Sequence, residues 1–533
     1  MNLRFALPAA SLLLGSSLFA QGAADVPLPP VPVPPENPIT VEKAVLGKIL
    51  FWEEQLSSSD NVACGTCHIP SAAGSDPRPP AINPGLDQAV GTADDVVGSR
   101  GVISMDSSKM FTKDALFALG VQVTGRSSPS AISSQHSSTQ FWDGRATDTF
   151  VNPETGAVSI PTGGSLESQA VGPILSSVEM AHEGRTWSDV TTKLQNAVPM
   201  ALASNLTPDI VAALAVNPDY PSLFQAAFGD SAITAERIGF AIATYERTLV
   251  PDQTPYDLWV AGDPNAMTPD QITGLNAFRG AQCDACHSGG EFADHTFRNI
   301  GLRPIAEDNG REAVTGLNSD RGKFRTVSLR NVGLKPTFMH NGAFTTLGQV
   351  LDFYRGVIPG FPDNRDPLLP QIVPGTFRNA VIDFMANALT DPRVAAGLPP
   401  FDRPTLRSEQ PISTAYGTGM PGTGGITPFL IAEQPAFPGA VDFRIGLGDG
   451  ATLTKGAITV GPSASAMGPL WVDPATSVVL PIITDADGTG TFNLPIPGLP
   501  ALSDLVLNFQ GFVLDAAAPL LFSSTAAASI TFD

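Results

Sequence analysis

Behind Thr40, the apolar residues Val45, Leu46, Ile49 and Leu50 recur at the three-and-four spacing of a single helix face, and the helix they predict runs towards a cysteine pair. The stretch MTPDQITGLNAFRG, residues 267–280, spells out the same element more fully. Thr268 is placed to cap, Pro269 takes the first helical position and Gln271 the third, and Ile272, Leu275 and Phe278 then descend one side to Gly280. A third amphipathic helix is predicted by SAITAERIGFAIATYERTLV, through Ile238, Ile242, Tyr245 and Leu249.

From about Gly417 the pattern changes period. GTGMPGTGGITP is a glycine-rich break, and beyond it short apolar runs such as GAITVG, SVVLPII, LVLNFQGFVL and ASITF alternate with Gly, Pro and Asp turns. This predicts a small all-β, sandwich-like C-terminal domain over residues 418–533. Arg444 and Lys455 are its only basic residues and it has neither Cys nor His, so a packing, partner-binding or attachment role is expected of it. The fold expected overall is mainly α, with two cytochrome c-like helical domains over 40–190 and 191–410 ahead of the β domain. A chain of 533 residues is too long for one hydrophobic core.

Charge and the N-terminus narrow the setting. Fifty-one acidic residues against 30 basic ones give a net charge of −21, which argues against nucleic acid as a partner and would steer a cationic one. MNLRFALPAASLLLGSSLFAQGA has a basic residue at Arg4, an apolar run from Phe5 to Phe19, and small residues at Ala20, Gly22 and Ala23, as in a signal peptide over residues 1–23. An uncleaved anchor is the alternative, but the run is short of the roughly 20 apolar residues a spanning helix needs. No later segment is long and apolar enough to cross a bilayer, so an exported, periplasmic protein is expected, its proline-rich stretch 24–39 an extended linker.

The chemistry is concentrated in two pentapeptides, CGTCH at Cys64 to His68 and CDACH at Cys283 to His287, which use all four cysteines of the chain. In an exported protein such pairs could be disulfides or redox dithiols. A histidine directly after each pair, in a chain with 6 His, points elsewhere. Two cysteines three apart can each bond a haem vinyl group, and the next residue then lies under the iron. Cys64, Cys67, Cys283 and Cys286 are therefore read as attachment points of two covalent haem c groups, with His68 and His287 as iron ligands. Zinc is the runner-up for the same residue types. Two haems alone do not separate an enzyme from an electron carrier.

Several further stretches stand in order along the chain: LFWEEQLSSSDNVACGTCH, STQFWDGRATD, ESQAVGPILSSVEMAHEG, FRTVSLRNVGLKPTFMHNGAFTTLGQVLDFY and VIDFMANALTDPRV. Together they resemble the bacterial dihaem cytochrome c peroxidase and MauG family from about residue 40 to about 405. The resemblance implies that the haem on His68 reacts with hydrogen peroxide and that Glu179 is the distal acid, moving a proton from the near to the far peroxide oxygen. It implies a distal amide at Gln169, with Pro173 in the same segment, and an electron-relaying tryptophan between the haems at Trp142. Asp143 and Arg145 are expected to pair with each other or meet a haem propionate. The donor implied is a small cytochrome or a copper protein of the cupredoxin kind.

The sequence also departs from the family. Where the peroxidases have methionine as sixth ligand of the second haem and MauG has tyrosine, the matching residue is Tyr354; a phenolate would favour ferric iron and lower the potential. Met339 and His340 are rival ligands from the same loop. DALFALGVQVTGRSSPSAISS has no histidine to cap the first iron, and His136 stands too near Trp142 to match it. His182 and His295 are read as ordinary polar residues. NPETGAVSIPTGG reads as a loop insertion able to narrow the distal pocket. A calcium ion, usual in the family, would lie near Ser127 and Lys335–Thr337, where the usual pattern is not repeated. The expectation is a periplasmic dihaem peroxidase-like oxidoreductase; the alternatives are MauG-like oxidation of a protein or organic substrate and a non-catalytic dihaem electron carrier.

Overall fold

A computed structural model of the chain describes residues 25–369 and 373–532; the expected signal peptide, residues 1–23, lies outside them. Each cysteine motif follows a capped helix. Thr40 caps the helix Val41–Phe51 by accepting from the Lys43 backbone N–H, and the buried side of that helix carries Leu46, Ile49 and Leu50. In the helix Pro269–Gly280, Thr268 and Gln271 satisfy each other's backbone N–H groups, at 3.2 and 3.0 Å.

The two helices are seated by the same device. A side-chain carbon at Gly47 would lie 1.9 Å from the Ala241 carbonyl oxygen of the helix Ala235–Thr248. One at Gly274 would lie 2.0 Å from the Ala380 carbonyl oxygen of the helix Arg378–Asp383. Only glycine permits backbone contact this close, so in both halves it sets how tightly the helix before the motif can dock.

Two hydrophobic cores result. The first joins Leu46, Ile49 and Trp52 to Tyr220, Phe224, Ile238, Ile242 and Tyr245, and takes in Phe401 and Leu406 from far downstream. The second joins Tyr256, Leu275 and Phe278 to Leu351, Phe353, Phe384 and Leu389. The expected boundary at residue 190 therefore does not coincide with a division between cores: residues 210–249 pack with the first motif.

Beyond Ser413 two larger antiparallel sheets form, besides the short ribbon Ala464–Met467 with Leu470–Val472. One has five strands in the order Val478–Ile483, Lys455–Gly461, Val506–Leu514, Phe522–Thr531 and Ser413–Tyr416; the other has Phe429–Ile431, Arg444–Gly448 and Gly490–Asn493. Phe443, Ile445 and Leu447 pack with Ile458, Phe509, Val513 and Ile530, so the two sheets share one core, and the C-terminal region is β-rich as expected.

The expectation of a mainly α chain needs correcting, since 29% of it is helical and 18% is strand. Apart from the β-rich region, the haem-motif portion is itself full of loops and short ribbons, such as Arg100–Ile103 with Val121–Val123 and Phe150–Val151 with Val158–Ile160. Glycine and proline turns in these connections keep the helices short.

Candidate functional site

Both motif histidines are oriented by a carbonyl a few residues downstream. The Nδ1 of His68 lies 2.9 Å from Gly74 O, and that of His287 lies 3.0 Å from Phe292 O. A carbonyl can only accept, so Nδ1 carries the proton and Nε2 is left with its lone pair for a metal. Burial also pushes both imidazoles down, favouring the neutral form that binds metal.

Around His68 a cavity of about 630 Å³ is lined by Cys64, Cys67, Trp142, Gln169 and Glu179. Residues as far apart in the chain as Phe51 and Asp308 thus meet in one place. Gln169 stands on the helix Ser165–Ala170, anchored by the wholly buried pair Glu167–Arg247 at 2.6 Å. Pro173 opens the next turn and also lines the cavity. Glu179 follows in a turn whose backbone N–H groups at 179, 180 and 181 all donate to Ser176 O, and burial pushes its carboxyl up while Ser176 opposes the shift. Trp142 donates Nε1–H to Ser127 O at 2.8 Å. Arg145 pairs with Asp143 at 3.1 Å and stacks on Phe141, 3.6 Å from the ring centre.

The sequence reading missed Glu246. It lines the same cavity from the helix Ala235–Thr248, is 4% exposed, and its Oε2 has no hydrogen-bond partner among the described residues. Burial pushes its carboxyl up to about 8. The signal was available: Glu246 falls four residues after Ile242, inside the apolar stripe, where an acid has no business unless it faces something.

At the second motif, Tyr354 ends the helix Leu347–Tyr354 and packs against the second core, and burial pushes its phenol up. Met339 packs on the same core, in a left-handed backbone conformation with φ of 71°. His340 is engaged elsewhere, flat on Phe324 with ring centres 3.6 Å apart. His136 does not line the first cavity and instead stands 3.2 Å from Glu291, both side chains buried. The insertion after Trp142 does not cover the cavity either: none of residues 152–164 lines it, and Glu154 instead caps Ala235 N at 2.8 Å. Ser127 and Thr337 hydroxyls do meet, at 3.3 Å, while burial pushes the neighbouring Lys335 ammonium down to about 8.

The residues fit a large, mostly apolar group with polar substituents attached at each motif. Two thiols and one metal-ready imidazole face a cavity of the size that cofactor sites have. Buried polar atoms around the two motifs also await partners, namely Glu246 Oε2 beside the first and both ring nitrogens of His295 eight residues after the second. Zinc fits less well, because among the described residues no three Cys, His, Asp or Glu side chains converge to hold one ion.

Comparison with known proteins agrees with this geometry. Residues 41–265 match the family model described as di-haem cytochrome c peroxidase. The methylamine utilization protein MauG of Methylophilus methylotrophus is 30% identical over 356 residues, covering 64% of this chain and 84% of that protein. A cytochrome c551 peroxidase of Nitrosomonas europaea is 30% identical over 351 residues, covering 64% and 81%. A second MauG, from Methylorubrum extorquens, is 32% identical over 328 residues, covering 61% and 71%. Since the family model spans the first cysteine motif and the relatives are matched over most of their own length, the chain belongs to the di-haem cytochrome c peroxidase family and is a haem c oxidoreductase of the peroxidase type.

Proposed function

We propose that this protein reduces hydrogen peroxide at the haem bound through Cys64, Cys67 and His68, with electrons entering through the haem bound through Cys283, Cys286 and His287. The observation that carries this reading is the convergence of His68, Gln169, Glu179 and Trp142 on one cavity. The bound haem supplies the iron and the electrons for O–O cleavage. Glu179 takes the proton from the near oxygen of peroxide and returns it to the far one, so that water leaves in place of the much poorer leaving group hydroxide. The Gln169 amide donates a hydrogen bond to peroxide and orients it towards Glu179. Trp142, locked by its bond to Ser127, relays electrons between the two halves.

Tyr354 is proposed as the second haem's sixth ligand, in preference to Met339 and His340. A phenolate there lowers the potential of the electron-entry haem, and this favours one second reading, MauG-like oxidation of a protein or organic substrate at the surface. A plain electron carrier leaves Glu179 and Gln169 without a task. Export to the periplasm by a signal peptide over residues 1–23 is part of the proposal; among the described residues no helix is long and apolar enough to cross a membrane. The chain is proposed to divide into two haem domains and a β domain over 418–533. The net charge of −21 favours a donor with a cationic face, a small cytochrome or a cupredoxin. Calcium is left out of the reading, because the half-buried Lys335 ammonium would repel a divalent cation in the segment that would help to hold it.

The test is an optical and electron paramagnetic resonance spectrum of the resting holoprotein, followed by one equivalent of peroxide without reductant. A high-spin first haem beside a low-spin His/Tyr second haem, with prompt reaction, is the expected result. Two low-spin haems that stay unreactive after partial reduction would make the protein an electron carrier. Glu179→Ala should slow the peroxide reaction about 10²–10⁴-fold; an unchanged rate removes the distal-acid role.

A further inference from the structure

The C-terminal β-rich region grips the haem-motif portion at a short segment, Ser58–Asn61, just ahead of Cys64. The buried Arg444 donates from Nη2 to Ser58 O at 2.8 Å. Gln434 donates from Nε2 to Asp60 Oδ2 at 3.2 Å, and its own Oε1 accepts from the Arg444 backbone N–H at 3.0 Å, so its side chain ties the Arg444 backbone to Asp60. Asn61 returns a bond from Nδ2 to Glu433 O at 2.9 Å. Lys193 completes the clasp, 2.5 Å from Asp60 and 3.6 Å from Asp442 of the β-rich region.

Ser58 faces the other way as well. Its N–H donates to Met180 O at 2.8 Å, and its Oγ accepts from His182 N at 2.9 Å. These bonds grip the chain on the C-terminal side of Glu179, within three residues of it. The other side of the turn has a parallel support. A side-chain carbon at Gly101 would lie 1.8 Å from Val178 O and 2.9 Å from the Glu179 Cα, so the ribbon Arg100–Ile103 lies directly against the turn. That ribbon leads into Ile103, Met105, Phe111 and Leu119, which form one small core with Ile431 of the β-rich region. Phe111 N also donates to Thr491 Oγ1 at 3.0 Å. Two separate routes thus connect the β sheets to the turn that carries Glu179.

We infer that the C-terminal β-rich region is a buttress for the peroxide site, and that Arg444 and Gln434 are positioning residues acting through Ser58 and Asp60 on the turn that aims Glu179. This rests on the proposed distal-acid role of Glu179. The reasons are geometric. The turn closes locally on one residue, Ser176, through its carbonyl and its hydroxyl, and an acid must reach hydrogen-bond distance of a small substrate to move its proton. A displacement near 1 Å at such a group costs up to about 10²-fold in rate. No group of the β-rich region lines the cavity, so it has no contact with the reacting atoms.

The experiment uses four holoproteins: the parent, Glu179→Gln, Arg444→Met and the double variant. Single-turnover peroxide rates are measured on each, together with amide hydrogen exchange. Arg444→Met is expected to slow the parent about tenfold or more through the rate constant and not through peroxide affinity, and to change Glu179→Gln by less than about twofold, since only a working acid can be misaimed. Exchange should rise in residues 176–184 while the strands of the five-stranded sheet keep their protection, and Arg444→Lys should recover most of both. Equal losses with and without Glu179, or unchanged exchange at 176–184, would overturn the buttress. If Glu179→Gln is itself as fast as the parent, the distal-acid reading fails, and the exchange data alone then decide the buttress. Should Arg444→Met not accumulate as folded holoprotein, Gln434→Met, which breaks the companion bond to Asp60, is read by the same criteria.

Discussion

The imidazole of His340 stands edge-on to the indole of Trp142, ring centres 6.3 Å apart at 68°. The contact is closed by two bonds through one residue: Trp142 donates to Ser127 O at 2.8 Å, and Ser127 N donates to His340 O at 2.8 Å. An aromatic group from the first half is thereby fixed against a loop from the second, which is what a relay between two redox centres requires.

Trp142→Phe keeps a ring in place but removes the Nε1–H donor, leaving Ser127 O unpaired at a cost of about 1 kcal/mol. The expected outcome in stopped-flow reduction is normal loading of the second haem and slower onward transfer to the first. Equal transfer rates would take Trp142 out of the path.

Tyr354 ends its helix beside the second motif, and if it is the sixth ligand as proposed, its replacement by methionine would exchange a phenolate for a soft neutral thioether. Tyr354→Met should raise the second haem's potential, within the roughly 0.8 V that axial ligands span, and should shift reactivity from MauG-like towards peroxidase-like. Spectroelectrochemistry measures the shift. An unchanged potential means that another residue, Met339 first, is the ligand.

The Glu167–Arg247 pair fixes the helix that carries Gln169, and both side chains are essentially excluded from solvent. Glu167→Gln leaves the guanidinium uncompensated and should destabilise the first core by about 3–5 kcal/mol in chemical denaturation. A loss below about 1 kcal/mol would show that the carbonyls of Pro32 and Gly163, which Arg247 also binds, suffice without the carboxylate.

Glu54 lies wholly buried and accepts from the backbone N–H groups of Arg407 and Ser408, tying the chain after the second motif to the first core. Burial outweighs these bonds and pushes its carboxyl up to about 7. A folded pKa above the unfolded one means that the stabilising effect is complete below about 4.5, falls as pH rises, and is gone above about 7. The size is roughly 3 kcal/mol. Thermal melts from pH 4.5 to 8 should show this decline, and Glu54→Gln should flatten it.

Much of the site was legible because its chemistry is local. A cysteine pair followed by histidine is complete within five residues, and the caps at Thr40 and Thr268 with their helices are complete within a few turns, so proposing Cys64, Cys67, His68, Cys283, Cys286 and His287 as haem-binding residues needed nothing from elsewhere in the chain. Glu179, Gln169, Trp142 and Tyr354 were reached through resemblance, since no local pattern separates a distal acid from a surface carboxylate in a chain this acidic. Glu246 was passed over because its stripe was scored for its apolar members.

The sequence by itself determined that two CxxCH motifs follow capped helices, and that the chain turns to strand near Gly417, within a few residues of the first strand at Ser413–Tyr416. The tertiary structure decided which core each segment joins, with residues 210–249 and 401–406 going to the first, and which side chains share the cavity around His68. It also decided that Arg444 reaches Ser58 across 386 positions. Periodicity and capping act over a few residues, whereas these contacts arise only when distant surfaces are pressed together to bury apolar area, and no short stretch of sequence carries their partners.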